Sequence, residues 1–347
     1  MADEIPHKRR VRYRGTHPRT FSEKYKELNA SEYTDDIQKV MDRGQTPVGT
    51  HRPICVKPIL DILAPKPGEV GLDTTLGFGG HAREILPRLA PGGRLYGIDV
   101  DPLELPRTEQ RLRDLGFGED VLTVRRMNFA GIGKLRFEAG RGFDFVLADL
   151  GVSSMQIDNP ARGFTYKAEG PLDLRLNPGH GQSAAALLKA CSEDELAQLL
   201  RENSDEPNAE AIARAVRSRG LIATTLDLAE AVRAALAELP KATREEETAK
   251  SVQRVFQALR IAVNDEFGAL DRLLAELPAC LAPGGRVAIL SFHSGEDRRV
   301  KKSFQALERA GVYAEVAPDP IRAGPEERRS NPRSTSAKLR WAILGPA

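Results

Sequence analysis

The sequence predicts an α/β protein: a doubly wound, mostly parallel sheet with a helical domain inserted in it. Three observations predict this. The stretch Val70 to Asp101 reads as strand, glycine turn, helix, strand and acid. The hexapeptide Leu-Ala-Pro-Gly-Gly-Arg occurs twice, at Leu89–Arg94 and Leu281–Arg286, each time between a helical stretch and an apolar strand, and such alternation belongs to parallel sheets. Finally, more than a hundred residues separate a strand at Phe143–Asp149 from the one at Val287–Phe292, too many for a single crossover.

In chain order, residues 1–48 show no regular apolar period and read as a basic extension. Pro58 to Leu63 reads as a helical turn, and Pro65-Lys66-Pro67-Gly68 leads into the first strand, Val70-Gly71-Leu72-Asp73. Gly77, Gly79 and Gly80 then let the backbone turn sharply and approach a ligand. Leu76 to Leu89 has helical spacing, stopped by Pro91-Gly92-Gly93, and Arg94 to Ile98 is a second strand. Its closing acid, Asp99, lies 19 positions after Gly80, near the spacing at which a carboxylate reaches the ribose of an adenosine-type cofactor. Pro102 to Leu115 is the next helix, Val121–Val124 a third strand, Phe143–Asp149 a fourth, and Leu339 to Leu344 closes the sheet.

The inserted region carries helical signals. Ser192 with Glu195 and Thr224 with Asp227 have capping-box spacing. One long helical segment runs from Arg244 toward Leu277, with Val252, Val255, Phe256, Leu259, Val263, Phe267 and Leu270 on a single apolar stripe.

With 347 residues, 41% hydrophobic and 29% charged, the chain has ample material for a core, and no apolar run approaches the ~18 residues that span a bilayer. Cys55, Cys191 and Cys280 are far apart and offer neither a zinc site nor a disulfide framework. Without an apolar leader segment, the location reads as cytoplasmic, with no membrane partner. The net charge of +2 conceals two basic runs, Lys8 to Arg19 and Arg328 to Arg340, that suit a polyanion or are simply solvated charge.

In doubly wound folds the ligand lies at the carboxyl ends of the strands. Three of those ends are rich here: Gly77 to His81, Asp149 to Gln156, and Ser291 to Asp297. NAD, FAD and S-adenosylmethionine all present an adenosine ribose to such an arrangement, so the glycine turn alone leaves the cofactor open.

The segments LDTTLGFGGHA, GIDVDP, ADLGVSSMQID, RGFTY, GPLDLRL, RVFQALRIAVNDE, SFHSGEDRRVKKSF and NPRSTSAKLR, in that order from about His51 to Leu344, resemble the bacterial 16S ribosomal RNA cytosine-N4 methyltransferases. The resemblance implies a Rossmann-like, S-adenosylmethionine-dependent methyltransferase domain over 49–178 and 255–347, with a substrate-recognising helical insertion over 179–254. It implies cofactor contacts at Gly79, Gly80, His81, Asp99, Phe129, Asp149 and Gln156, and 16S ribosomal RNA within the small ribosomal subunit as partner, leaving a homodimer open.

Asp149 is the candidate catalytic group. The lone pair of cytosine N4 is delocalised into the ring, and a carboxylate accepting the N4–H bonds localises it; no metal is needed for this. Its other reading is a pure cofactor contact or a turn cap. A flipped base needs a stacking surface and an entry route, for which Phe164 and Arg175 are candidates. His293 stands before Ser294 and Asp297, which have capping-box spacing, and is a candidate for shaping the base pocket. Arg333 and Lys338, in a segment that Pro332 and its serines should keep extended, are candidates for phosphate contact.

The sequence departs from the family pattern at Gly295, where leucine is usual, at Asn203-Ser204-Asp205-Glu206, and in the length of its basic extension. Rival readings are an NAD-dependent oxidoreductase, a non-catalytic RNA-binding or assembly protein, and a DNA cytosine-N4 methyltransferase.

Overall fold

The structure, a computed structural model, describes residues 53–346; the extension and its basic run lie outside them. Seven strands form one sheet: β1 Val70–Asp73, β2 Arg94–Asp99, β3 Leu122–Arg126, β4 Phe143–Asp149, β5 Leu281–Ser291, β6 Tyr313–Val316 and β7 Lys338–Leu344. Their spatial order is β3-β2-β1-β4-β5-β7-β6. The five from β3 to β5 are parallel, while β7 runs antiparallel to both β5 and β6. The predicted doubly wound, mostly parallel class is therefore what the chain forms, with two corrections at one edge. The late strand, β7, does not close the sheet but lies inside it, and β6 takes the edge. That strand escaped sequence reading because only its first and last residues, Tyr313 and Val316, are buried, so it has no period-two pattern.

The helices are α1 Val56–Leu63, α2 Gly80–Leu89, α3 Leu105–Asp114, α4 Gly133–Ala139, α5 Ser154–Asp158, α6 Ala184–Ala190, α7 Glu193–Ser204, α8 Ala209–Arg219, α9 Thr225–Ala235, α10 Lys241–Asn264, α11 Glu266–Cys280, α12 Ser294–Arg309 and α13 Pro325–Ser330. The central strands read as near-continuous apolar runs because both their faces are covered. One covering core contains Leu72, Phe143, Val146, Leu273, Leu277, Val287 and Phe304. The other contains Ile59, Ile85, Leu95, Phe145, Leu147, Leu290 and Leu339.

A third core belongs to α6 to α10. It runs from Phe164, Leu172 and Leu174 through Leu196, Ile212 and Val232 to Val255, Phe256 and Leu259. Both expected capping boxes start helices here, with the Ser192 and Thr224 hydroxyls accepting from the N–H groups of Glu195 and Asp227. The long helix expected from Arg244 to Leu277 is two helices. Asp265, at φ 48, ends α10 and begins α11. The apolar stripe is shared accordingly: Val252 to Leu259 pack in the insert, Leu270 under the sheet.

Candidate active site

The sheet reverses its winding at β1, whose neighbours are β2 and β4, and the connections diverging there open a crevice at the carboxyl ends of the strands. Asp73, Asp99 and Asp149 are the last residues of these three strands. After Asp73, the N–H and hydroxyl of Thr74 both donate to the Leu147 carbonyl at 2.9 Å, and the Leu76 N–H donates to Ile98 at 2.8 Å. The turn is thus strapped to β4 on one side and β2 on the other. Gly79 sits at φ +74, and a Cβ there would lie 3.1 Å from Thr108 and 3.2 Å from Leu112, so α2 can approach α3 only with glycine at that position.

The Asp99 carboxylate accepts from the Gly77 N–H on one oxygen and the Asp101 N–H on the other, both at 2.9 Å. Burial lifts its pKa; the two N–H donors oppose that, and the neighbouring Asp101 carboxylate adds to it. Asp73 is fully enclosed. Burial pushes it up to about 6, opposed by His81 and the Thr75 N–H and assisted by the Asp149 and Asp99 charges.

His81, in the first turn of α2, places Nε2 3.3 Å from Asp149 Oδ2. The contact is an ion pair rather than an aligned hydrogen bond, and this buried nitrogen has no hydrogen-bond partner. Burial disfavours the charged ring, but attraction to Asp149, then to Asp73 and Glu327, outweighs it and raises His81 above its ordinary 6.5. The stabilisation from this pair is therefore complete below pH 6.5, provided Asp149 is ionised, and fades as pH rises through the elevated folded value. His81→Gln should lower the melting temperature most below pH 6.5, and the gap from wild type should close at higher pH. A gap that stays constant with pH in scanning calorimetry would contradict the pairing.

Glu327, on α13, completes the acid lining, its Oε1 accepting from the Cys55 N–H at 2.8 Å. Sequence reading missed it because Pro-Glu-Glu-Arg-Arg looks like an ordinary solvated helix start. The Cys55 thiol is pushed up to about 12, chiefly by burial and further by Glu327 and Asp149, so it stays protonated and is no nucleophile. Among the described residues, the carboxylates gathered around the turn, Asp73, Asp99, Asp101, Asp149 and Glu327, outnumber the cations His81, Arg111 and Arg162. Such a crevice suits a cationic sulfonium and ammonium and opposes the diphosphate of a dinucleotide.

S-adenosylmethionine fits these residues. With that donor bound, Asp99, held at the end of β2 beside the turn, would be the acid to meet its ribose hydroxyls. The Gly77 and Gly79 N–H groups already donate to Asp99 and Leu76, which leaves the first free N–H groups of α2, from Gly80 and His81, for the methionine carboxylate. Phe129 opens a one-turn 3-10 helix after β3 and is partly buried against the sheet core.

The remaining expected residues fall elsewhere or are already engaged. Gln156 accepts from the Ser153 N–H in the capping box of α5 and donates to Asp101 Oδ2 at 2.7 Å, so its amide acts on the site through Asp101. Phe164 is not a stacking surface: it is 6% exposed, within the insert core. The Arg175 guanidinium is held by Asp173, with bonds of 2.7 and 2.8 Å. Arg333 and Lys338 are paired with Asp158 and Asp297, each at 3.0 Å. Arg333 is not in extended chain, since Pro332–Ser336 is a 3-10 helix, whereas Lys338 begins the extended β7.

His293, not Ser294, is the N-cap residue of α12, and the expected capping box is absent. Glu296 instead accepts from the Phe292 N–H at 3.0 Å and lies 3.3 Å from His293 Nε2, while Asp297 turns to Arg340 and Lys338. Glu266, His293 and Glu296 could supply three metal ligands within 4.8 Å of one another. However, the Arg260 guanidinium already donates to both Glu266 oxygens at 2.8 Å, and its charge would repel an ion there. Gly295, the departure from the family's leucine, is explained by crowding: a Cβ would fall 2.6 Å from the Phe267 ring.

Residues 49–343 match the model of the MraW methylase family. The chain belongs to the MraW methylase family. Among relatives of this family, "Ribosomal RNA small subunit methyltransferase H 2" of Alkaliphilus metalliredigens (strain QYMF) is 58% identical over 98% of both chains. "Ribosomal RNA small subunit methyltransferase H 1" of Lachnoclostridium phytofermentans is 54% identical over 98% of this chain and 94% of its own. A further MraW-family relative, "Ribosomal RNA small subunit methyltransferase H" of Rubrobacter xylanophilus, is 42% identical over 84% of this chain and 95% of its own. A match over 98% of the chain takes in most of the basic extension, so that segment has counterparts within the family. Among the described residues of this MraW-family protein, no helix is long and apolar enough to cross a membrane.

Proposed function

We propose that this protein transfers a methyl group from S-adenosylmethionine to the exocyclic N4 of a cytidine in 16S ribosomal RNA, in the decoding region of the small ribosomal subunit. The observation that carries the reading is the Asp149 carboxylate, at the end of β4, paired through one oxygen with His81 inside an acid-lined crevice. The family match and the names of the relatives support it.

S-adenosylmethionine, when bound, supplies an electrophilic methyl group on a sulfonium. The chain's residues do the rest. Asp149 Oδ2 faces His81, which leaves Oδ1 to accept an N4–H bond, draw the lone pair out of conjugation and take the N4 proton once the new N–C bond has formed. His81, 3.3 Å from Oδ2, fixes the orientation of the carboxylate. The Asp149 N–H donates to Thr75 Oγ1 at 2.6 Å, so the acid is tied to the glycine turn and both move as one. The surrounding carboxylates favour the positive charge of the donor. On this reading the helical insertion at 179–254 recognises the RNA, and the exposed Arg328 and Arg329 of α13 meet phosphate. The protein then works in the cytoplasm, on the assembling subunit.

Mass spectrometry of 16S ribosomal RNA from a deletion strain tests this. One N4-methylcytidine should be missing and should return with the intact gene but not with Asp149→Asn. An unchanged spectrum would refute the proposal.

A further inference from the structure

The site still lacks a surface for the base. A base turned out of RNA into the crevice needs a flat apolar face, and Phe164 does not offer one. We propose that Phe292, at the exit of β5, is the stacking surface for the target base and thereby sets the preference of the site for a planar amine-bearing ring. This rests on the proposed methyl transfer to a base.

Sheet parity puts the acid and the ring on one face. Asp149 is in register with Leu290 on the neighbouring parallel strand. Side chains alternate between faces, so Leu147 and Asp149 share one face, and Leu290 and Phe292 share the same one. The cores agree: Leu147, Leu290 and Phe292 all pack on the α1–α2 side of the sheet. That is the side on which Asp149 meets His81, so the carboxylate and the ring project into the same end of the crevice.

Local geometry supports the position. Gly151, at φ +95, carries the chain past the ring, and a Cβ there would lie 3.8 Å from Phe292 Cδ2. The ring therefore lies beside the segment that follows the catalytic carboxylate. Phe292 is only partly buried, whereas Leu290 beneath it is fully enclosed. Its backbone is fixed by the 3.0 Å bond from its N–H to the deeply buried Glu296, the start of α12. A partly open aromatic held rigidly beside an acid is what a neutral base can use in a crevice otherwise lined with carboxylates, because stacking needs no charge and tolerates the acid next to it.

The test uses the full-length protein with small ribosomal subunits lacking the modification. Phe292→Leu should lower kcat/KM for the RNA about tenfold to a hundredfold, the loss expected for one base stack. S-adenosylmethionine affinity by calorimetry should be unchanged, and Phe292→Tyr should restore most of the rate. A purely structural ring would instead weaken cofactor binding and thermal stability along with turnover. An RNA fragment with 5-iodocytosine at the target position provides a check on the unaltered protein: irradiation should crosslink it to the peptide containing Phe292. Undiminished turnover by Phe292→Leu, equal loss in the Tyr variant, or a crosslink formed only elsewhere would overturn the proposal. If the wild-type protein methylates no RNA at all, the proposed function fails before the variants are compared.

Discussion

Asp149→Asn should cut the methyl-transfer rate about a hundredfold to ten-thousandfold, the range for removing a positioned acid-base group, while the protein still folds and still binds S-adenosylmethionine. The substitution keeps the size of the side chain and leaves the backbone N–H free to donate to Thr75 as before. What it removes is the charge. A neutral amide accepts the N4–H bond more weakly, cannot take the proton, and no longer raises the pKa of His81. Single-turnover kinetics beside calorimetric titration of the cofactor separates these effects. If Asp149 only contacted the donor, the variant would lose affinity and keep its rate at saturating cofactor. Full rate under saturation would therefore refute the catalytic assignment.

The fold was legible in the sequence where local chemistry speaks for itself. Gly77, Gly79 and the proline-glycine turns mark strand ends directly, and Phe143–Asp149 is apolar enough that its bounds in the structure are those read from the chain. The antiparallel edge was not legible. Whether β7 sits inside the sheet or at its rim depends on pairing with β5 and β6, which no local pattern encodes.

The site divides in the same way. Asp99 and Asp149 were legible as acids that end strands, and the structure places both at strand ends, where such folds bind ligands. Phe164 stands in the polar RGFTY segment and Phe292 at the end of an apolar strand, and only packing shows what each ring touches: one is enclosed by the insert's leucines, the other packs beside Leu147 and Leu290 on the sheet. Glu327 arrives from some 180 residues beyond Asp149 in a charged stretch, and long-range approach of that kind leaves no local trace.

Arg162→Leu should destabilise the protein by about 3–5 kcal/mol, because it strands a buried carboxylate. Arg162 Nη1 donates to Asp101 Oδ2 at 2.8 Å, with the two side chains 7% and 1% exposed. Its Nη2 reaches the Leu176 carbonyl at 2.8 Å, and the Leu176 N–H in turn donates to Asn264 at the end of α10. One guanidinium thus ties the exit of β2 to the segment leading into the helical insertion. Gln156 Nε2 also donates to Asp101, at 2.7 Å, and the Leu103 and Glu104 N–H groups to its other oxygen, so losing the arginine leaves that acid with neutral donors only. The double variant Asp101→Asn/Arg162→Leu should be more stable than Arg162→Leu alone, since the stranded charge is then gone. Urea denaturation of the two single variants and the double variant closes the cycle. A loss below about 1 kcal/mol for Arg162→Leu would mean that the pair behaves like an exposed one. The junction between the sheet and its insertion would then be held by apolar packing and by the Asn264 bonds to Leu174 and Leu176.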